Sequence, residues 1–563
     1  MKVLRDLAIP RTLDALTARL AAERPRGHVE AWLFEDAAAR RAAEARLAAA
    51  GVSATLRSAY KPLLHYVLEE VDRADLRRLT VRYPHHPQAR PERFLAEAYP
   101  LAALVEGVAL VPGDEGLTYD VEMVRRDGSV SRRLVFAPNL ARDGVLANCG
   151  WLRIPGQCDE KLATEFETLL HAALDTVQEQ RWNGPGPYFD RLTVRVDMPG
   201  RDHGLGWGEE AVSFREAMHE DLFFSLRERL TEAAGGDRRA RPGQVVPDIR
   251  GCDGDARLHV AVSAFGPPAE TASAAIPLAT ADRPLGMAQI RAELAALGHL
   301  AFSARSREGR EVAGLYKQGA AAAVLITAGQ HANETTGPVG ALRAAQVLAR
   351  DPDAHFALVP VENVDGYELH QRLITRDPRH MHHAARYTAL GDDVSTFMAE
   401  PDHERLARHE GLARSGAHLH INLHGYPAHE WTRPLSGYLP RGFEQWSMPK
   451  GFFLIVMHHP GWAAAAQALL ERAASALAED AELVAFNRRQ LGAMRAHSLA
   501  QPFSMLGDIP YTLSEATADA TPLTLISEAP DETVYGRAFL MQQAAQMRVV
   551  LACYEAYRAL AAM

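Results

Sequence analysis

The sequence predicts an α/β protein. Its C-terminal half should form a mixed, largely parallel sheet flanked by helices, preceded by an α+β N-terminal region. Three observations carry this. After residue 285, short apolar runs of the buried-strand kind alternate with helix-length amphipathic segments, the pattern of a parallel or mixed sheet covered on both faces. Before residue 265, strands and helices mix without that regularity. Between them "AFGPPAETASAAIPLATADRPLG", residues 264 to 286, gathers Ala, Thr and Pro and reads as a linker. At 563 residues the chain has room for two to four domains, at about 100 to 200 residues each. The divisions expected are 1–150 and 151–270, both α+β, and 285–563.

Taken in order, "HVEAWLF" is strand-like, "EDAAARRAAEARLAAAG" has helical composition up to Gly51, and "VSATLRSAYKPLLHYVLEEV" reads as extended. "YDVEMVRRDGSVSRRLVFAPN" places two runs around Asp127-Gly128, a hairpin signal. "EKLATEFETLLHAALDTVQEQRW" is an amphipathic helix, "DRLTVRVDMPG" a strand, and "FREAMHEDLFFSLRERLTEAAGG" a helix with a glycine stop. In that helix His219, Glu220 and Asp221 are adjacent and point different ways, so they read as a solvated face and a poor ligand set. "DRRARPGQVVPDIRGCDGDARLHVAV" is a polar connection into another strand.

Past the linker come the helix "MAQIRAELAALGHL", the strand "GREVAGLYKQG", the apolar strand "AAAVLITAG", the helix "TTGPVGALRAAQVLAR" and the strand "HFALVPVEN". "HLHINLHGY" and "GFFLIVMHH" follow as strands, "GWAAAAQALLERAASALAED" as a helix, "PLTLISEAP" as a strand and "GRAFLMQQAAQMRVVLACYEAYRAL" as a long last helix. Sites in such folds lie at the carboxyl ends of strands. His331 is just past one.

Composition narrows the function. The chain is 47% hydrophobic and 23% charged, with a net charge of −10 and no Lys/Arg block, so it lacks the electrostatic footprint of a nucleic-acid binder. No stretch approaches the ~18 apolar residues of a membrane span. The first residues show no signal-peptide core, and a cytoplasmic location is expected. The four cysteines are scattered without a CxxC pair, which disfavours a disulfide framework or a cysteine zinc site. Of the 24 histidines, many fall between residues 331 and 459.

A catalytic zinc needs three His/Glu-type ligands and one open position. His331 and Glu334, three apart in "GQHANET", converge if Ala332 and Asn333 turn; alone, the pair also reads as a polar loop. In "HLHINLHGY" the two-residue alternation puts His418, His420, Asn422 and His424 on one face, with His424 at the strand end. Glu528 ends an otherwise apolar strand, where a carboxylate is costly unless it has a task. Glu515, in the more polar "YTLSEATAD", competes with it.

These segments resemble the zinc carboxypeptidase family, including its relatives the succinylglutamate desuccinylases and aspartoacylases. "SARSREGREV" resembles the family's strand lead-in, and "GQHANET" its HxxE motif, nearer the HGNET form of the deacylase branch. "ENVDGYE" resembles the NPDGY turn, with Val364 in place of proline. "LHGY" resembles the third-ligand strand. "EAPDETVYGRAF" resembles the segment from the catalytic Glu into the last helix, with Glu528, Asp531, Tyr535 and Gly536 in register. The likeness covers roughly residues 285 to 563. It implies a zinc-carboxypeptidase-like catalytic domain with one Zn²⁺ per chain, held by His331, Glu334 and His424, and Glu528 activating a zinc-bound water. It also implies a catalytic arginine after the NPDGY-like turn; of Arg372, Arg376, Arg379 and Arg386, spacing favours Arg379 or Arg376. Asn363, Tyr426 and Arg386 would contact substrate.

The chain departs from the family where peptidases hold a terminal carboxylate with an Asn-Arg pair. The matching "GDDVSTF", Gly391 to Phe397, has neither residue, and bidentate capture needs a guanidinium. "HMHHAARYTALGDD" places His380, His382, His383, Asp392 and Asp393 near the site, which reads as a substrate-specificity segment or as a second metal site.

The expected function is a zinc-dependent hydrolase cleaving an amide bond in a short peptide or amino-acid derivative. An N-acyl-amino-acid deacylase of the aspartoacylase type is the alternative, and a non-catalytic binding protein on the same fold a further one. A nucleotide-using ligase lacks its phosphate-cradling glycine motif. The partner expected is a small-molecule or short-peptide substrate, with no nucleic acid and no membrane; a homo-oligomer is left open. His₂Glu also accepts other divalent ions.

Overall fold

A computed structural model describes residues 1–562 except 143, 183, 185, 238–239, 395–401 and 518–519. The C-terminal half is built on one nine-stranded sheet. Its strands are β1 (Leu300–Arg305), β2 (Glu311–Lys317), β3 (Val324–Ala328), β4 (Phe356–Val359), β5 (Leu419–Tyr426), β6 (Phe453–His458), β7 (Ser504–Leu506), β8 (Ile509–Glu515) and β9 (Leu523–Pro530). Their order is β1-β2-β4-β3-β5-β9-β6-β8-β7. The run β4-β3-β5-β9 at the centre is parallel, whereas β1, β2 and β7 pair antiparallel and β6 runs against β9. The sheet is thus mixed: the four most buried strands run parallel at its centre, and β6 and β8 form a further parallel pair towards one side. Every residue of β3, β4 and β5 is buried, as expected of strands covered on both faces.

The N-terminal region contributes three four-stranded sheets. In one, Lys2–Ile9 pairs with Ala256–Ser263, and Arg191–Met198 lies between the latter and Gln244–Gly251. In another, Val29–Leu33 pairs with Gly150–Ile154. Strands on both sides of residue 150 therefore share sheets. The hairpin around Asp127-Gly128 is present, with Thr118–Arg125 antiparallel to Val130–Phe136.

Three local expectations need correction. The stretch read as extended after Gly51 is a strand, Ala54–Ser58, followed by a helix, Pro62–Glu69; Pro62 at the first helical position supplies the φ that starts it. The polar connection before residue 256 contains the strand Gln244–Gly251, whose Pro247 and charged residues hid its alternation. Helix α1 (Phe214–Ala233) does not offer His219, Glu220 and Asp221 to solvent: they are 3%, 0% and 0% exposed. Its polar face is covered by loops of the C-terminal half.

That docking positions the site. Glu216 accepts hydrogen bonds from the Met381 amide (3.1 Å) and from His429 Nε2 (2.8 Å). Glu220 meets His383 Nδ1 at 2.6 Å, and Asp221 accepts from the amides of Leu435 and Ser436, both at 2.9 Å. One apolar cluster runs from the N-terminal sheets into Met381, Tyr387, Trp431, Tyr438 and Met494, so the two halves share a core.

A candidate metal centre at the carboxyl ends of the central strands

Strand β3 ends at Ala328, and the chain turns through Gly329 (φ +58°). A Cβ there would meet Val361 Cα at 3.0 Å, so only glycine fits without displacing backbone. The Glu334 amide then bonds the His331 carbonyl at 3.2 Å. This is the turn that the three-residue spacing requires, and helix α2 (Thr336–Leu348) follows at once. Asp531, just after β9, accepts from the Thr336 amide (3.0 Å) and hydroxyl (2.5 Å), tying the start of α2 to the segment that follows Glu528. Gly425 permits this, because a Cβ there would stand 2.3 Å from the Asp531 carboxylate.

The three expected ligands converge. His331 Nδ1 lies 2.7 Å from Glu334 Oε1 and 3.0 Å from His424 Nδ1, and His424 Nδ1 lies 3.2 Å from Glu334 Oε2. All three side chains are buried, and among the described residues theirs is the only convergent group of three or more His, Cys, Asp or Glu. The donor set fits a divalent cation. Two imidazole nitrogens and a carboxylate share one point, and an N···N approach at 3.0 Å leaves at most one N–H between them. Neutral imidazoles plus a carboxylate are what zinc takes. Burial lowers the pKa of His424, which favours the neutral imidazole. Burial and the Arg386 charge act the same way on His331, but the carboxylates of Glu334 and Asp393 outweigh them and hold its pKa at about 9 without a cation. His331 Nε2 faces Asp393 Oδ1 at 3.3 Å, the carboxylate behind an imidazole that orients a metal ligand. From the sequence, Asp393 belongs to a substrate-specificity segment or to a second metal site. His380, His382, His383 and Asp392 do not join any convergent set among the described residues.

Glu528 sits in register with His424 on the neighbouring parallel strand, at the same sheet edge. Burial and the negative charge of Glu334 both push its pKa up. Glu515, the competitor, is exposed on β8 and in register with His458, away from the triad.

The arginines are sorted by the fold. Arg376 pairs with Asp377 at 2.8 Å and with Asp248 of the N-terminal region. Arg379 is 68% exposed and pairs with Glu209 at 2.6 Å. Both are engaged away from the triad, which corrects their expected catalytic role: after helix α3 (Val364–Ile374) these two pairs tie the chain to the N-terminal region. Arg386 is the arginine brought in. Its Nη1 is 3.1 Å from Glu334 Oε1 and its Nη2 3.6 Å from Asp393 Oδ2. Asn363 supports it from behind: its Oδ1 accepts the Gly366 amide as the α3 cap, and its Nδ2 donates to the Arg386 carbonyl at 3.0 Å. Tyr426 is likewise structural, its hydroxyl donating to the Gly451 carbonyl (2.6 Å) and accepting from the Lys450 amide (2.9 Å). Of "GDDVSTF", residues 395–397 lie outside the described residues.

Sequence reasoning missed a buried relay beside the site. His383 bridges Glu220 and Glu532, its Nε2 standing 3.5 Å from Glu532 Oε2. Burial raises the Glu532 pKa to about 7. "DETVYG" shows Glu532 as one more turn acid, yet it is 3% exposed and faces His383.

Residues 282–397 match the family model of the zinc carboxypeptidases. The match takes in His331, Glu334, Asn363, Arg386 and Asp393 and stops short of His424 and Glu528. No curated protein matches the chain. Among solved structures, a metallo-carboxypeptidase from Burkholderia cenocepacia is similar at 16% identity over 54% of this chain and 76% of that one, with a TM-score of 0.29. A carboxypeptidase A from Helicoverpa armigera is similar at 12% identity over 49% and 73%, with a TM-score of 0.31.

Proposed function

We propose that the chain is a zinc-dependent hydrolase that cleaves an amide bond in a short peptide or amino-acid derivative. The observation that carries this is the convergence of His331 Nδ1, Glu334 and His424 Nδ1 at the carboxyl end of the parallel strands. Zinc held there would polarise a carbonyl and lower the pKa of water to about 7. The chain's own groups divide the remaining work. Glu528, beside His424, takes a proton from the attacking water and returns it to the leaving amine. Arg386 faces the same point with its guanidinium and stabilises negative charge developing on the carbonyl oxygen. Asp393 holds the His331 ring in place. The buried positions of His331 and Glu334 exclude bulk water, which strengthens each of these interactions.

The test is elemental analysis of wild type and His424→Ala, beside hydrolysis of a panel of peptides, amino-acid amides and N-acyl amino acids. About one zinc per chain, lost in the variant, is expected, with turnover of one panel class. Turnover confined to N-acyl amino acids would place the chain with the deacylases. Metal-free wild type purified without chelator would reverse the proposal in favour of a binding protein.

A further inference from the structure

A cleft between the two halves of the chain holds two cations, Lys450 and Arg441, that form no ion pair among the described residues. One cavity, of about 260 Å³, is walled by Ala96, Met448, Met494, Pro502 and Phe503, and Lys450 lines it. A second, of about 400 Å³, is lined by Arg93, Val145, Arg433, Tyr438 and Arg441. Arg90, Leu439 and Glu444 line both, so the cavities adjoin along one groove.

Lys450 is 3% exposed. Its ammonium donates to the Gln445 carbonyl and lies 3.9 Å from the centre of the Trp446 ring. Among the described residues no carboxylate comes within ion-pair distance of it. A buried ammonium without a counter-ion is costly, and burial lowers its pKa to about 7 against the opposing charge of Glu528. Its neighbours place it beside the chemistry. It lies 5.0 Å from the Tyr426 ring and 5.8 Å from that of Phe453. Tyr426 is two residues past His424, and Phe453 is the strand partner of Glu528.

At the other end of the groove Arg441 is exposed and makes no ion pair among the described residues. The other arginines are already matched: Arg90 by Glu444, Arg93 by Glu97 and Arg433 by Glu228. Glu92 is the one lining acid without a cation partner. Each end of the groove thus presents a cation, the inner one buried next to Glu528.

We propose that this groove seats an acidic segment of the substrate, with Lys450 pairing with the carboxylate nearest Glu528 and Arg441 meeting a second carboxylate at the outer end. It rests on the hydrolase reading for the reaction but not for the binding. It also accounts for a chain whose "GDDVSTF" segment lacks the Asn-Arg pair.

Calorimetry with glutarate, a dicarboxylate with no cleavable bond, reads the binding directly on the protein as purified. Glutarate is expected to bind wild type, at least tenfold more weakly to Lys450→Met, and within about threefold of wild type to Lys450→Arg, which keeps the cation. Circular dichroism of each variant checks folding, and Arg441→Gln, at an exposed position, should weaken binding by a smaller factor. In the kinetic arm, the preference for a Glu-containing substrate over its Gln isostere in kcat/KM should fall at least tenfold in Lys450→Met. No glutarate binding to wild type, or equal binding to folded Lys450→Met, overturns the proposal and leaves the lysine as a neighbour of Glu528 only. Lysine-dependent glutarate binding in a protein that hydrolyses nothing on the panel upholds the anion seat and removes the hydrolase reading.

Discussion

At the scale of single residues, the site separates groups that act at one point from groups that merely lie near it in sequence. Glu528 and Arg386 reach the triad; Arg376 and Arg379 are engaged by Asp248 and Glu209 of the N-terminal region. Glu528→Gln keeps the shape of the side chain and removes the proton acceptor. It is expected to cut kcat by about 10²- to 10⁴-fold with zinc content unchanged. Arg386→Gln should cost about 10²- to 10³-fold in kcat, whereas Arg379→Gln should match wild type; steady-state kinetics on the active panel class check all three. Equal losses in Arg386→Gln and Arg379→Gln would sink the assignment. The converging His331, Glu334 and His424 were legible in the chain because HxxE and a His at a strand end are local patterns. The arginine was not, since spacing after the Asn363 turn favoured positions that pair with the N-terminal region.

At the scale of elements, α1 is the piece whose sequence misleads. Its acids follow a helical pattern that usually marks a solvent face, yet Glu216, Glu220 and Asp221 meet partners more than 160 residues away. The helix holds the 381–383 and 429–436 loops, and through His383 it touches Glu532 next to Arg386. Removing the Glu220 carboxylate leaves His383 Nδ1 buried without its charged partner. Glu220→Gln is therefore expected to destabilise the fold by about 1–3 kcal/mol, read as a lower midpoint in chemical denaturation. A midpoint equal to wild type would show that the contact contributes nothing. The strands of the sheet, by contrast, were readable one by one. Continuous apolar runs such as "VLITA" and "FALV" suit positions buried on both faces, and β3, β4 and β5 are such strands.

For the whole molecule, the N-terminal half shares a core with the body that carries the candidate site and is not a detachable appendage. It supplies α1, it contributes Arg90 and Arg93 to the groove, and its core continues into Trp431 and Met494. Arg241 pairs with Asp392 at 2.9 Å, bracing the residue next to Asp393. A fragment of residues 285–563 would expose His383, Arg433 and the apolar residues that α1 covers. It is expected to be degraded in limited proteolysis under conditions where the full chain survives; a protease-resistant, zinc-loaded fragment would refute the shared-core account. Among the described residues no helix is long and apolar enough to cross a membrane.

The sequence alone determined the alternation of elements after residue 285 and singled out the three residues that converge and the candidate base, because strand burial, turn chemistry and ligand spacing are written within a few residues of one another. Only the tertiary structure decided which arginine faces the triad, that Asp393 stands behind His331, that the acids of α1 are buried, and that Lys450 forms no ion pair among the described residues. Each of those depends on two segments far apart in the chain meeting in space. Burial and charge pairing are properties of the meeting, and no local pattern encodes them.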